Sequence, residues 1–596
     1  EEDGLKSFAK SFETLLGQIA AKRELIQAES GVEEQGLAEL ERAMFSSRLW
    51  AKDPSLWKQD RDHQKLIKNS LGWLSSPEAM AASLGSIRGF VAEARAEFDE
   101  TVVLGMGGSS LACEVFRCCF PAAPGHPKLS VLDTTDPASV LALRRRLDLK
   151  RTLFVVSSKS GSTIEPHAFM EYFWAEAEKA LGAGKAGRHF VAITDPGSTL
   201  ESVARKRGFR KTFLNAPDIG GRFSVLSYFG LVPAGLMGVD LEKLLSSARR
   251  AARDCSPEHA TSESLALRLG AALGRHAVLG RDKLTLSLSP AVEALGLWIE
   301  QLVAESTGKE GKGILPVFAE PLGAPADYVG DRFFVRVELP GSPDRDAAER
   351  LAALERAGHP VFTLPMSDPY ELGAQFFIWE VAVAAACQLL GVNPFDQPDV
   401  QAAKDQTKSL LGSLEKGVLP RESPAFRAGG WAAFGDPALE KLFPGRPDRP
   451  LADALAAQLA RLKPADYLAV LAFVDPSEDN ARALFQLQKT LRKLTRSAVV
   501  VQFGPRYLHS TGQLFKGGGD NGVFVLLVEA ETTGEPGVPG QSYGFGTLLR
   551  AQARGDFAAL RERGRRALRL ELGAAGSQPM QALVNAAAAL SEKCPS

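Results

Sequence analysis

Short apolar runs alternate with longer amphipathic stretches along residues 99–240, which we call the first unit. The runs fit buried strands, and the stretches between them place apolar side chains at helical spacing. The predicted strands are 101–104, 129–133, 153–157, 189–194 and 212–214. The predicted helices lie near 110–120, 137–147, 165–182 and 198–207. This alternation favours an α/β domain with a doubly wound, mostly parallel sheet.

The same alternation returns twice further along the chain. Residues 241–412, the second unit, have strand patterns at 283–288, 332–339 and 360–364 and helix patterns near 291–306, 344–357 and 373–390. Residues 464–596, the third unit, have strand patterns at 467–474, 498–503 and 523–528 and helix patterns at 478–495 and 574–596. The sequence therefore predicts two doubly wound units and a smaller C-terminal α/β domain.

The remaining segments differ from this pattern. Residues 1–23 are predicted to form one amphipathic helix, and residues 27–98 continue as helices with aromatic anchors. Residues 413–463 are rich in proline, glycine and charge, which indicates an irregular connection with short helices near 437–443 and 451–462.

Composition excludes several classes of protein. The net charge is −1, so the chain has no overall bias toward nucleic acid or anionic membranes. The six cysteines show neither metal-ligand spacing nor a disulfide pattern, and we expect no metal and no cofactor. Without a secretory pattern or an apolar run of membrane-spanning length, we expect a cytoplasmic protein. The start at Glu1 without a methionine suggests a fragment of a longer chain.

The stretch 153–169 carries the clearest candidate chemistry. A predicted strand runs into Ser157, Ser158, Lys159, Ser160, Gly161, Ser162 and Thr163, and a helix pattern opens at about Glu165. Free N–H groups at a helix start and short hydroxyl donors favour an anion such as the phosphate of a small molecule. The alternative is a plain helix cap.

Two glycine-containing loops add further candidates. The loop 105–110 follows a predicted strand but is not a dinucleotide fingerprint, so it is either a ligand-approach loop or a tight turn. Arg222 follows Gly220 and Gly221 and could present its guanidinium to an oxyanion, or could lie on the surface.

Polar groups also cluster in the second and third units. Glu305 stands at a helix-to-loop junction, where a base could reach a ligand, although Glu300 and Glu310 look similar. Lys404 follows Gln397 by two helical turns, on the same face. The loop 506–519 concentrates polar groups and glycines and is either functional or inert.

Five motifs occur in order within residues 30–572: GMGGSS, SSKSGST, GGRFS, AESTGK and NPFDQPDVQAAK. Together they resemble glucose-6-phosphate isomerases, most closely the isomerase half of bifunctional transaldolase/glucose-6-phosphate isomerases. The resemblance implies two sugar-isomerase domains and a sugar phosphate as substrate. It leaves open a homodimer and a transaldolase domain fused upstream. Residues 4–23, within 1–26, resemble the last helix of a transaldolase, but its barrel is absent from this chain, so we expect no transaldolase activity.

The resemblance also implies roles for individual residues. Glu305 matches the catalytic base, Arg222 with Gly221 matches the arginine near the reacting carbons, and Gln397 and Lys404 match groups near the ring oxygen. The residues that match the binders of the sugar phosphate are Gly108, Ser109, Ser158, Lys159, Ser160 and Thr163.

The chain departs from the family pattern in two places. Asp399 stands where glycine is common, and Gln401 stands where glutamate is common. The family also uses a histidine, supplied across a dimer, to open the sugar ring, but no histidine lies between His276 and His359. The candidates for that task are Asp331, His509 and Lys516.

The expected reaction is the reversible isomerisation of glucose 6-phosphate to fructose 6-phosphate through an enediolate. One alternative is a related isomerase, for example one acting on mannose 6-phosphate. Another is a sugar-phosphate-binding module without catalysis, for which the phosphate loop alone would suffice.

Overall fold

The computed structural model describes residues 31–414, 417–445, 448–529, 534–572 and 579–593. The helix predicted over 1–23 and the expected transaldolase remnant over 1–26 lie outside these residues. The N-terminal helices are α1 (Val32–Arg42), α2 (Phe45–Trp50), α3 (Arg61–Lys68) and α4 (Ser76–Glu97). The anchor Trp73 is buried and stacks on Phe223, next to the candidate Arg222.

The first unit contains a five-stranded parallel sheet in the order β2-β1-β3-β4-β5. Its strands are β1 (Glu100–Leu104), β2 (Lys128–Leu132), β3 (Thr152–Ser157), β4 (Phe190–Thr194) and β5 (Lys211–Leu214). Its helices are α5 (Leu111–Cys119), α6 (Pro137–Arg146), α7 (Ile164–Leu181), α8 (Thr199–Lys206) and α9 (Tyr228–Leu236). Asp136 and Ser198 cap α6 and α8 with their side chains. The predicted doubly wound sheet is confirmed.

The second unit has a four-stranded parallel sheet in the order β7-β6-β8-β9. Its strands are β6 (Lys283–Leu288), β7 (Leu315–Val317), β8 (Arg332–Glu338) and β9 (Val361–Pro365). Its helices are α10 (Leu241–Asp254), α11 (Leu265–Val278), α12 (Leu295–Thr307), α13 (Arg345–Arg356), α14 (Leu372–Leu390) and α15 (Val400–Gly412). The sequence did not predict β7, which is too short for a periodic pattern.

One segment, Pro369–Leu390, is long and apolar enough to cross a membrane. However, 89% of its apolar window is buried inside the protein. It packs with α10 and α11 in the largest hydrophobic core, which extends from the N-terminal helices through the first and second units. The segment is therefore a core helix of this fold.

In the structure the third unit also includes residues 413–463, and it contains a seven-stranded mixed sheet in the order β12-β10-β11-β16-β15-β13-β14. Its strands are β10 (Phe426–Ala428), β11 (Trp431–Gly435), β12 (Asp448–Arg449), β13 (Tyr467–Phe473), β14 (Ala498–Phe503), β15 (Gly522–Glu529) and β16 (Arg566–Leu572). Its helices are α16 (Pro437–Glu440), α17 (Leu451–Leu459), α18 (Glu478–Thr495), α19 (Gly512–Gly517), α20 (Phe545–Glu562) and α21 (Pro579–Lys593).

Residues 413–463 are not the irregular connection that the sequence indicates. They carry β10, β11 and β12, and β11 pairs antiparallel with β16, which lies more than a hundred residues further along the chain. These strands have two to five residues, so they are too short to show an alternating pattern. Their pairing is set by long-range contacts, which local sequence does not reveal.

The carboxyl end of β14, in the third unit, faces the first unit. The loop after β14 places Arg506 Nη2 at 2.8 Å from Asp133 Oδ1, directly after β2. On α20, Gln552 Nε2 donates to Glu165 Oε1 at 2.6 Å, in the first turn of α7. The strand ends of the first and third sheets therefore face each other, and the candidate site lies where they meet.

Candidate active site

A cavity of about 710 Å³ opens between the first and third units and α15. The hydroxyl-rich loop after β3 forms one wall, α15 forms another, and the loop after β14 forms a third. The polar groups at its wall include Ser158, Ser160, Ser162, Thr163, Lys404 and His509. This volume is ample for a small phosphorylated molecule.

The loop Ser158–Thr163, called the phosphate loop below, lines this cavity with four hydroxyl-bearing residues. Gly161 adopts a φ of +70°, and a Cβ there would lie 2.5 Å from the Leu200 nitrogen, so glycine is required for the bend. Ser158 Oγ accepts from the Gly161 N–H at 3.2 Å. Within the described part of the chain, the Thr163 side chain accepts no capping hydrogen bond from α7. The geometry therefore favours an anion site over the plain cap.

Two of the predicted phosphate binders have other surroundings. The Lys159 amine contacts the Asp195 carboxylate and donates to the Pro217 carbonyl at 2.9 Å. Ser109 is buried in the turn after β1. Lys159 thus ties the phosphate loop to neighbouring segments of the first unit. Direct contact of Lys159 or Ser109 with a ligand stays a prediction.

Gly108 lets two loops of the first unit touch. A Cβ on Gly108 would lie 2.0 Å from the Gly221 carbonyl oxygen, so a side chain there would push the loops apart. This close approach holds the segment with Arg222 against the turn after β1. Gly108 is therefore a structural requirement of the site, whereas a Cβ on Gly221 would meet nothing within 4 Å.

Arg222 is buried, with 4% of its side chain exposed, and is not a surface residue. Its Nη1 lies 3.3 Å from Glu305 Oε1 and donates to Gln397 Oε1 at 3.1 Å. Its Nε donates to Ser306 Oγ at 2.8 Å, and its Nη2 donates to the Pro394 carbonyl. The structure thus brings three predicted site residues, from three distant segments, into one cluster.

Glu305 differs clearly from the two similar glutamates. Its Oε2 accepts from Gln301 Nε2 at 3.1 Å, while Oε1 faces the guanidinium of Arg222. Glu300 is buried against Gln502, and burial raises its pKa to about 7. Glu310 pairs with Lys58 at 2.7 Å at the surface. Only Glu305 of these three contacts the Arg222 cluster within the described residues.

His509 and Glu165 form a second pair at the cavity. His509 Nε2 lies 2.8 Å from Glu165 Oε1, and Gln301 Nε2 also donates to the His509 carbonyl at 2.8 Å. Burial opposes ionisation of Glu165, but the charges of His509 and Lys404 outweigh it and hold its pKa below the ordinary value. Gln301 therefore links Glu305 to the backbone of His509, whose imidazole contacts Glu165.

The other two ring-opening candidates are held elsewhere. The Lys516 amine lies 2.5 Å from Asp556 Oδ1 in a fully buried pair, although its side chain borders the cavity. Asp331 precedes β8 at the amino end of the second sheet, with its carboxylate 3.6 Å from the Lys283 amine. Of the three candidates, His509 has the most suitable position.

Sequence reasoning missed Glu165, Gln301 and Gln552. Glu165 could have been noticed as a carboxylate in the first helical turn after the phosphate loop. Gln301 precedes Glu305 by four residues and so shares its helix face. Gln552 gave no signal, because it reaches Glu165 only through the packing of the third unit.

Comparisons with known proteins identify the family. A family model described as phosphoglucose isomerase matches residues 82–313. A glucose-6-phosphate isomerase of Heliobacterium modesticaldum is 30% identical over 428 residues, 62% of this chain and 95% of that protein. The corresponding protein of Thermus thermophilus is 30% identical over 384 residues, 57% of this chain and 90% of its own length.

Two solved structures are similar to this chain in fold. A hypothetical protein from Thermus thermophilus superposes with a TM-score of 0.54 at 28% identity, covering 65% of this chain and 98% of that one. A glucose-6-phosphate isomerase from Chlamydia trachomatis has a TM-score of 0.50 at 20% identity and covers 64% of this chain and 86% of its own, which supports the fold. The chain therefore belongs to the glucose-6-phosphate isomerase family.

Proposed function

We propose that the protein catalyses the reversible isomerisation of glucose 6-phosphate and fructose 6-phosphate, with Glu305 as the base. The observation that carries the proposal is the buried contact of 3.3 Å between Glu305 and Arg222. Gln301 connects this pair to His509, which lines the cavity beside the phosphate loop. Two hydrogen bonds of Gln301 thus connect the base and its cation to a residue at the wall of the cavity that holds the anion site.

The phosphate loop anchors the substrate. Hydroxyl groups of Ser158, Ser160 and Thr163 and the N–H groups at the start of α7 suit a phosphate, because charge-assisted hydrogen bonds are the stronger kind. Binding energy from this remote group positions the reacting carbons at the base.

The chemical step is a proton transfer between neighbouring carbons. Once the ring is open, Glu305 removes the proton from C2 of the aldose, and the C2–H electron pair becomes the C1–C2 double bond of an enediolate. The protonated Glu305 then delivers a proton to C1 while the proton of the O2 hydroxyl passes to O1, so C2 becomes the carbonyl and C1 the CH2OH group of the ketose. Arg222 stabilises the negative charge that develops on the oxygens.

Lys404 adds a second cation to the site. It lies on α15, borders the cavity and is close enough to Glu165 to favour ionisation of that carboxylate. We assign it, together with Gln397, to the ring oxygen of the substrate, and Arg222 donates a hydrogen bond to Gln397.

The Arg222–Glu305 contact also favours catalysis over binding alone. A buried charge pair costs desolvation energy, and a sugar-phosphate-binding module would need only the phosphate loop. The five cysteines of the described residues are free thiols, including the exposed Cys118, which suits the reducing cytoplasm that this proposal includes.

A coupled assay tests the proposal. Fructose 6-phosphate is supplied, and the glucose 6-phosphate formed is oxidised by a dehydrogenase with a coloured or fluorescent cofactor. We expect turnover that Glu305→Gln abolishes. Release of mannose 6-phosphate instead, detected by chromatography, would support the related isomerase, and binding of fructose 6-phosphate without any product would support the sensor.

A further inference from the structure

We propose that the third unit completes the active site within the same chain, with His509 transferring the protons that open and close the sugar ring. This inference rests on the isomerase function proposed above, and it names the group that acts before Glu305.

Ring opening is a separate chemical need. A hexose phosphate in its cyclic form has no free carbonyl, so its C2 proton is not acidic enough for a carboxylate base. Opening breaks the C1–O5 bond while the O1 hydroxyl loses a proton and O5 gains one. A single group that accepts the first proton and donates the second balances this step. Imidazole suits the exchange because its ordinary pKa lies near neutrality.

The position of His509 fits this task. Its imidazole lines the cavity together with Ser158 and Lys404, and 15% of its side chain is exposed. Its own carbonyl accepts from Gln301, which also donates to Glu305. The backbone of His509 is therefore held next to the base, and its imidazole borders the cavity.

Glu165 orients the ring. Its Oε1 lies 2.8 Å from His509 Nε2 and also accepts from Gln552 Nε2 at 2.6 Å, and Gln552 in turn accepts from Thr135 Oγ1 at 2.8 Å. An ionised, buried carboxylate that holds Nε2–H leaves Nδ1 to exchange protons with the sugar oxygens. Glu165, Gln552 and Thr135 are positioning residues in this arrangement.

The loop that carries His509 is docked on two sides. Arg506 contacts Asp133 of the first unit, as described above. On the second unit, Gln513 donates to the Gly308 carbonyl at 2.9 Å and to Asp399 Oδ2 at 2.8 Å. These contacts hold the loop that carries His509 against both the first and the second unit.

The turn after β1 has room for this loop only because it contains glycine. Gly107 has a φ of +55°, and a Cβ there would lie 2.9 Å from the His509 carbonyl oxygen. The first unit and the third-unit loop are therefore shaped to each other, as expected if the loop belongs to the working site.

Ring opening can be measured apart from isomerisation. The two anomers of glucose 6-phosphate give separate NMR signals, and exchange spectroscopy measures how fast the enzyme interconverts them. The variants are Glu305→Gln, His509→Gln and His509→Ala, with Asp331→Asn as the matched control. His509→Gln can still donate to Glu165, so it preserves the contact while removing the proton exchange.

We expect Glu305→Gln to lose isomerisation but keep catalysed anomer exchange. Both His509 variants should lose about 100-fold in enzyme-catalysed anomer exchange, whereas Asp331→Asn keeps it. The inference is overturned if His509→Gln exchanges anomers within about threefold of the parent, or if Asp331→Asn loses the exchange instead. Persistent isomerisation in Glu305→Gln would contradict Glu305 as the base. The anomer exchange of the His509 variants would still decide the role of His509 in ring opening.

Discussion

Glu305 and Glu165 are two largely buried carboxylates of one site, and their partners give them different tasks. Glu305 faces Arg222 at 3.3 Å, and an arginine keeps its charge at every physiological pH. Glu165 faces His509 at 2.8 Å, and an imidazole can gain or lose a proton near neutrality. The comparison teaches that the partner decides whether a carboxylate acts as a base itself or positions another group that exchanges protons.

The largest expected effect comes from removing the carboxylate beside the arginine. Glu305→Gln keeps size and hydrogen bonding but cannot accept the C2 proton, so kcat should fall by about 10²- to 10⁴-fold. Binding of a phosphorylated sugar acid, measured by calorimetry, should persist because the phosphate loop is intact. A kcat within tenfold of the parent, read with the coupled assay, would remove Glu305 from the role.

A smaller effect is expected at the second carboxylate. Glu165→Gln leaves His509 without an ionised partner, so ring opening should slow by about tenfold while the transfer at C2 continues. Anomer exchange and isomerisation are measured on the same sample. Gln552→Glu is not a suitable control, because it would add a charge beside Glu165. A loss of C2 chemistry as large as that of Glu305→Gln would erase the distinction between the two glutamates.

The phosphate loop should affect binding more than chemistry. Ser158→Ala with Thr163→Ala removes two hydroxyl donors, each worth about 1.5–3 kcal/mol toward a charged acceptor, so KM should rise at least tenfold. The free energy of unfolding should change little, because Thr163 does not cap α7 with its side chain within the described residues. Ser162→Ala, in the same loop, is a milder comparison. An unchanged KM would refute the anion site.

The smallest effect on activity is expected at a third glutamate, Glu300, which serves stability. Burial raises its pKa from the ordinary 4.5 to about 7. The folded state therefore binds a proton that the unfolded chain releases, so stability falls as pH rises from about 4.5 to about 7. Glu300→Gln keeps an acceptor for Gln502 and should gain up to about 3 kcal/mol over the parent near pH 8.

Thermal unfolding of the parent and Glu300→Gln at about pH 5 and about pH 8 checks this sign. The difference in unfolding free energy should be small at the lower pH and should favour the variant at the higher pH. A difference that does not change with pH would show that Glu300 does not titrate in the folded protein.

The sequence predicted the elements that depend on local pattern. The sequence pattern showed the hydroxyl-rich loop before α7, the parallel strands of the first unit and, except for β7, those of the second unit, because each lies in one continuous stretch. The short strands β10 to β12 were not visible, since their partner β16 lies far along the chain. Roles for Arg222, Glu305 and Gln397 came from the resemblance, because nothing local distinguished them from surface residues.

Contacts of the third unit account for two features that the sequence alone does not explain. Asp399, a departure from the family pattern, binds Gln513 and lies 2.6 Å from Arg563, both in the third unit. His509 and Glu165 are 344 residues apart, so their pairing is a property of the assembled fold. Asp399 thus lies where the third unit docks, and only tertiary contacts reveal its role.

The most direct test of the central claim is isomerisation in deuterated water. If Glu305 carries a proton between C2 and C1 through an enediolate, glucose 6-phosphate made from fructose 6-phosphate should contain deuterium at C2, as read by NMR. The parent should incorporate deuterium, and Glu305→Gln should lose both the label and the product. Product formed by Glu305→Gln at the parent rate and labelled at C2 would contradict the account.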